Sequence, residues 1–80
     1  MTKTVRLRFD NLTDSECTLH FEPLGGTALI PRGEALIVEV SGPGDGIVEV
    51  SYLADGMMVG EWDGAKTTVF NGRGEALRPC

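Results

Sequence analysis

Residues 4–22 read TVRLRFDNLTDSECTLHFE and contain two runs in which apolar and polar side chains alternate. Alternation with a period of two places one set of side chains on a buried face and the other in solvent, which is typical of a β-strand. The segment between the runs, Asn11 to Ser15, is rich in turn-forming residues. The two runs therefore predict a β-hairpin with one solvated face.

The same alternation continues along the chain, with turn residues about every 8–12 positions. Further runs extend over residues 27–30, 34–41, 47–53, 57–62, 66–71 and 75–78. The sequence shows neither a useful helical period nor an internal repeat. It predicts a single all-β domain over residues 1–80, a small antiparallel β-sandwich or flattened barrel of seven to eight short strands. We expect the chain to cross between sheets at the Gly-rich segment 42–46.

The runs 47–53 and 57–62 form a second predicted hairpin, and its loop allows two registers. A two-residue loop places the even-numbered apolar residues of the first run on the face of Val59. A three-residue loop, with Gly56 in a left-handed conformation, places them on the face of Met58 and Trp62. We predict the second register because it gives the more apolar face. The predicted core then consists of Val5, Leu7, Phe9, Cys17, Leu19, Phe21, Leu36, Val38, Val40, Val48, Val50, Tyr52, Met58 and Trp62.

In this register Leu53, Met57 and Val59 face outward and form an apolar patch on the hairpin, which is either exposed or covered by a second layer of the fold. An exposed apolar patch on a small domain is typical of a surface that pairs with another protein. We therefore predict a non-enzymatic protein-interaction module, with homodimerisation as one form of that interaction. The alternative is a small-ligand or carbohydrate-binding β domain, in which Trp62 and Tyr52 line a groove.

The net charge is −5, from 12 acidic and 7 basic residues. An acidic surface repels nucleic acid and anionic membranes, so neither is an expected partner. Residues 10–65 contain 11 acidic residues and a single basic one, Arg32, whereas the two ends of the chain are basic. The first and last strands could therefore form one basic face that steers a partner. The alternative is that Arg6 and Arg8 form ordinary ion pairs with acids of the second run.

The residues that could carry chemistry are few. Cys17 lies three positions before His20, the one histidine, and residues three apart on a strand point to opposite faces, so they cannot share a metal ion. No serine lies in a Gly-x-Ser-x-Gly motif, and the Gly-rich segment lacks the lysine of a phosphate-binding loop. We therefore predict no enzymatic activity, no metal and no cofactor. His20 is expected to be a solvated strand residue.

The compartment is inferred from the cysteines and the N-terminal segment. The N-terminal segment has charges at alternate positions and lacks the apolar region of a signal peptide, and no run is long enough to span a membrane. The chain has two cysteines, Cys17 and Cys80, which do not make a disulfide framework. Cys17 is expected to behave as a small buried apolar residue. These features predict a cytoplasmic protein with reduced cysteines.

The first half of the chain contains three turn motifs: Asn-x-Thr-Asp at 11–14, Glu-Pro-x-Gly at 22–25 and Pro-x-Gly-Glu at 31–34. This pattern resembles small uncharacterised bacterial β-domains, over about residues 5–40. More loosely, it is similar to the opening half of cupredoxin-like and immunoglobulin-like sandwiches. The resemblance implies a fold alone, because a cupredoxin copper site needs two histidines and this chain has one.

Overall fold

A computed structural model describes residues 2–23 and 25–77, and in these residues the chain forms eight strands and no helix. Each predicted run corresponds to one strand, with ends that differ by one or two residues in several cases. The strands are β1 (Thr2–Asp10), β2 (Cys17–Glu22), β3 (Thr27–Ile30), β4 (Ala35–Pro43), β5 (Glu49–Leu53), β6 (Gly56–Gly60), β7 (Lys66–Asn71) and β8 (Ala76–Leu77). No helix that could cross a membrane is found in the described part of the chain. Cys80 lies outside the described residues.

The strands form two four-stranded sheets, one in the order β1-β4-β7-β8 and the other in the order β3-β2-β6-β5. The sheets do not close on each other, so the sandwich is confirmed and the flattened barrel is wrong. The chain crosses from one sheet to the other after β1, β3, β4 and β6. The crossing after β4 begins in the Gly-rich segment 42–46, as predicted.

The predicted hairpin of β1 and β2 is wrong, because the two strands lie in different sheets. β1 pairs with β4, and β2 pairs with β3 on one side and with β6 on the other. The β2–β6 pair is parallel, and the other pairs are antiparallel. Alternation along a strand shows which face is buried, but it carries no information about which strand lies beside it. β1 and β8 lie at opposite edges of their sheet, so the basic first and last strands are not neighbours.

The core lies between the two sheets and includes six of the predicted core residues, Phe9, Leu19, Phe21, Leu36, Val38 and Val40. Five further buried apolar residues were not predicted, namely Ile30, Ala35, Val59, Ala65 and Val69. The predicted core residues that are half-buried are Val5, Leu7, Cys17, Val48, Met58 and Trp62. Val50 and Tyr52, the remaining two, are exposed. Burial is therefore set by position within a sheet as well as by the direction in which a side chain points.

Asn11 connects the two sheets at the first crossing and is a buried polar residue, with 2 % of its surface exposed. Its amide nitrogen donates hydrogen bonds to the carbonyl oxygens of Ser15 at 2.7 Å and Ile30 at 2.8 Å. Its amide oxygen accepts hydrogen bonds from the backbone nitrogen of Thr13 at 3.0 Å and from the Thr13 hydroxyl at 2.6 Å. These bonds fix the loop after β1 against the end of β3.

Candidate functional site

The β5–β6 hairpin has a two-residue loop, residues 54–55, and Leu53 pairs with Gly56. The predicted three-residue loop is wrong, although Gly56 does have a positive φ, of 156°. Gly56 is instead the first residue of β6, where the backbone of β2 passes very close to it. A Cβ atom at Gly56 would lie 2.0 Å from the carbonyl oxygen of Thr18. The glycine is therefore required by the approach of a neighbouring strand, and its φ of +156° also disfavours any other residue.

The observed register divides the predicted interaction residues between two faces. Val50 lies opposite Val59, and Tyr52 lies opposite Met57, on the face directed toward the other sheet. Met57 packs against the core, and Val59 is 1 % exposed. Leu53 is exposed on the outer face. The prediction that the three residues form one outward patch is therefore wrong, because the actual loop reverses the faces of β6.

Val50 and Tyr52 are the exposed apolar residues that replace this patch. They point toward the sandwich interior, yet 43 % of Val50 and 88 % of Tyr52 are exposed. The reason is the position of β5, which is the last strand of its sheet and has a neighbour on one side only. Sequence alternation assigned both residues to the core because it cannot show that a strand lies at an edge. The sequence has one signal that fits an edge position: the strand is short, with five residues, and it follows a long Gly-rich crossing.

The direction of the backbone groups in β6 follows from its bonds to β2. The carbonyl oxygen of Asp55 accepts a hydrogen bond from the nitrogen of Thr18 at 3.0 Å, and the nitrogen of Glu61 donates one to the oxygen of Glu22 at 3.2 Å. Within a strand, successive residues direct their backbone groups to opposite sides. The odd-numbered residues of β6 therefore bond to β2, and the even-numbered residues bond to β5.

The same alternation fixes the open side of β5. The even-numbered residues of β6 pair with Leu53, Ser51 and Glu49. These three residues consequently direct their backbone groups toward β6. Val50 and Tyr52 direct their N–H and C=O groups the other way, to the side of β5 that has no neighbouring strand. At this edge, exposed apolar side chains and open backbone groups belong to the same two residues.

The edge strand β1 of the other sheet differs in its charge. The backbone nitrogen of Asn11 bonds to the carbonyl oxygen of Glu34 at 2.9 Å in the β1–β4 register, so the even-numbered residues of β1 face its open side. Two of these are Arg6 and Arg8, and charged side chains on an edge strand oppose pairing. Arg6 pairs with Glu39 of β4 at 3.6 Å and Arg8 with Asp10 at 3.0 Å, not with acids of β2 as one prediction had it.

A groove of about 490 Å³ lies beside the β5–β6 loop. Its walls include Tyr52, Leu53, Leu29 and the half-buried thiol of Cys17, with hydroxyl groups from the loop after β1. The groove is continuous with the open edge of β5, because Tyr52 belongs to both. The surface formed by Val50, Tyr52 and this groove is called the β5 edge site below.

His20 and Cys17 do not combine into a reactive centre. His20 Nε2 lies 3.1 Å from the carboxylate of Asp55, in the β5–β6 loop, whereas Cys17 lies on the opposite face of β2 and packs against the core. His20 therefore has a specific partner instead of being simply solvated. In the residues that the structure describes, no group of three or more His, Cys, Asp or Glu side chains could hold a metal ion.

Trp62 lies away from the β5 edge site. Its indole nitrogen donates a hydrogen bond to the carbonyl oxygen of Pro43, and its ring lies against Gly44. It is not among the walls of the groove that Tyr52 lines. The prediction that Trp62 and Tyr52 line one groove is therefore wrong.

The fold and the site together define a small β-sandwich in which the edge strand β5 is open and exposes two apolar residues. No protein-family model, curated protein or solved structure matches the chain. The resemblance to bacterial β-domains and to cupredoxin-like or immunoglobulin-like sandwiches stays a prediction.

Proposed function

We propose that the chain is a non-enzymatic protein-interaction module, and that its binding surface is the β5 edge site. The observation that supports this most directly is the coincidence at Val50 and Tyr52 of outward backbone groups with exposed apolar side chains. An open edge of this kind accepts an extended segment of a partner as an additional strand.

The two parts of the site have different roles in such binding. Backbone hydrogen bonds to Val50 and Tyr52 provide affinity that is independent of the partner's sequence. Specificity comes from side chains of the added strand. Every second side chain lies on the same face of the sheet as Val50 and Tyr52, and the remaining side chains lie on the face of Leu53. The net charge of −5 disfavours nucleic acid and anionic membranes as partners, which leaves a protein segment as the proposed class.

A peptide-display selection against the folded chain tests this function. Selected peptides are expected to be extended and to lose affinity about tenfold or more with Tyr52→Lys, which adds a charge at the edge. The matched control is Leu12→Lys, since Leu12 is 91 % exposed and Tyr52 is 88 % exposed, but Leu12 lies in a loop. Equal affinity of both variants for the selected peptides would contradict the proposal.

A second variant separates backbone pairing from side-chain contact. Tyr52→Pro removes an N–H group that points to the open side, so it leaves the ladder with β6 intact. Peptide binding is expected to be lost while the thermal unfolding transition is retained. Ser51→Pro is the comparison, because it removes an N–H group directed at β6 and is expected to destabilise the fold. Retained peptide binding in folded Tyr52→Pro contradicts strand addition.

Binding of a small polar ligand or a carbohydrate is a second candidate, favoured by the groove itself. The groove of about 490 Å³ combines the exposed ring of Tyr52 with hydroxyl groups of Thr13 and Ser15. Titration with a panel of sugars, followed by amide chemical shifts, is the suitable measurement, since Trp62 does not line the groove and its fluorescence would not report on it. Shifts at Thr18 and Asp55 support this candidate, and unchanged shifts across the panel contradict it.

A further inference from the structure

We infer that the partner of β5 is a second copy of this chain, paired antiparallel through β5 about a two-fold axis at Ser51. This inference rests on the proposed function and adds the identity and register of the partner. Pairing in this way joins two four-stranded sheets into one continuous eight-stranded sheet. Two β5 edges become one internal pair, which removes the exposed edge from both copies.

The register follows from the backbone groups that β5 leaves open. Only Val50 and Tyr52 within β5 direct N–H and C=O groups to the open side. With the axis at Ser51, Val50 of each copy lies opposite Tyr52 of the other. Each such pair exchanges both backbone hydrogen bonds, so the pairing satisfies every open backbone group of both strands.

Neighbouring registers are less favourable. An axis at Val50 would leave Tyr52 opposite Val48, which lies outside the strand. An axis at Tyr52 would place Glu49 opposite Asp55, and directly opposed like charges are destabilising. The axis at Ser51 instead places Glu49 opposite Leu53.

The side chains agree with the same register. Val50 opposite Tyr52 is a β-branched residue facing an aromatic one, which is a favourable cross-strand pair, and the two-fold axis produces it twice. These are also the inward-directed apolar residues that the isolated chain leaves exposed on β5. β1 shows the opposite behaviour, because an axis at its middle residue would place Arg6 opposite Arg6 of the second copy. Self-pairing is therefore favoured at β5 and disfavoured at β1.

The net charge of each copy predicts how salt affects the association. Two chains of charge −5 repel each other at long range, and the proposed contact has no ion pair across it. Added salt screens the repulsion, so the dimer is expected to become tighter as ionic strength rises. Pairing with a basic partner segment would show the opposite dependence, because salt would screen an attraction.

Disulfide trapping tests the register. In a chain carrying Cys17→Ser and Cys80→Ser, Ser51→Cys places two thiols on the axis, where opposed Cα atoms of a non-hydrogen-bonded pair are about 4.5 Å apart and can be bridged. Mild oxidation is expected to give a covalent dimer. The matched control is Glu49→Cys. In this register the two introduced cysteines are offset by four residues along the strands, so their Cα atoms are about 13 Å apart and cannot form a disulfide.

Sedimentation equilibrium over a wide concentration range tests the dimer itself. We expect a reversible dimer that tightens with sodium chloride and weakens about tenfold or more with Tyr52→Lys, because each dimer loses two cross-strand pairs. Leu12→Lys is expected to behave as wild type. Circular dichroism confirms that each variant is folded.

The outcomes separate this inference from the proposed function. A chain that stays monomeric at all concentrations and salt levels overturns the inference, and a dimer that Ser51→Cys does not trap overturns its register. If selected peptides still bind the monomer through Tyr52, the proposed function stands without a second copy as partner. If the chain binds neither peptides nor itself, both proposals fall.

Discussion

Replacing Asn11 tests whether one buried amide holds the first sheet crossing in place. Asn11→Ala removes two hydrogen bonds donated to the carbonyl oxygens of Ser15 and Ile30 and two accepted from Thr13. The Ile30 carbonyl lies in a buried part of the structure, so water does not readily replace the lost donor. At about 1 kcal/mol for each of these four net hydrogen bonds, the loss is about 4 kcal/mol.

That loss is large for a domain of this size. Total stabilities are roughly 0.05–0.15 kcal/mol per residue, so 80 residues give about 4–12 kcal/mol. Asn11→Ala should therefore leave a marginally stable chain. Asn11→Asp keeps the shape and the acceptor but loses both donated bonds and directs a carboxylate at two carbonyl oxygens. We expect it to destabilise the fold at least as much as Asn11→Ala at neutral pH.

Urea unfolding followed by Trp62 fluorescence and by circular dichroism measures these losses. Asn71→Ala is the matched control, because the Asn71 side chain, at the end of β7, also organises a turn by accepting hydrogen bonds from the backbone nitrogens of Arg73 and Glu75, and these bonds are exposed. We expect a loss of about 1 kcal/mol there, since water replaces the bonds. If Asn11→Ala costs no more than Asn71→Ala, the crossing does not depend on the buried amide and the reasoning is refuted.

Three further predictions concern the β2–β6–β5 sheet. Gly56→Ala should destabilise the fold by about 3 kcal/mol or more in urea unfolding, because its Cβ would lie 2.0 Å from a β2 carbonyl oxygen. The control is Gly60→Ala, which should cost less than about 1 kcal/mol because the atom nearest to its Cβ is 3.6 Å away. A double-mutant cycle of His20→Ala and Asp55→Ala should give a coupling of less than about 1 kcal/mol, since the pair is partly solvated, and a larger coupling would show a structural role for it. Val59→Ala should cost about 2 kcal/mol or more by removing a residue that is 1 % exposed, and a neutral result would restore the outward orientation predicted from sequence.

The sequence predicted the strands well because each one alternates independently of its neighbours. Residues 27–30 and 66–71 match β3 and β7 at both ends. The inward direction of Phe9, Leu19 and Val38 followed from the same alternation, and all three are buried. The crossing in the Gly-rich segment also followed from local sequence. These features depend on the period of two and on turn residues, both of which are local properties.

The order of the strands within the sheets could not be predicted in the same way. Pairing β2 with β6 in parallel joins strands separated by more than thirty residues, and no local pattern specifies such a contact. The loop of the β5–β6 hairpin failed for a related reason. Gly56 was assigned to the turn on local grounds, whereas a strand distant in sequence requires a glycine there. That shift of the loop reversed the faces of β6 and moved Val59 into the core.

The edge strands of the two sheets differ in length, in charge and in exposed apolar side chains, and these differences locate the candidate site. β3 and β8 are short, with four and two residues, and a short edge offers few groups for pairing. β1 has nine residues, but arginines occupy the central positions of its open side. Among the edge strands that the structure describes, open backbone groups and exposed apolar side chains coincide at two residues of β5, Val50 and Tyr52, and at one residue of β3, Leu29. The open side of β1 has charges at its centre, whereas the open side of β5 has none and exposes two apolar side chains, and this difference supports the proposal that a partner strand pairs with β5.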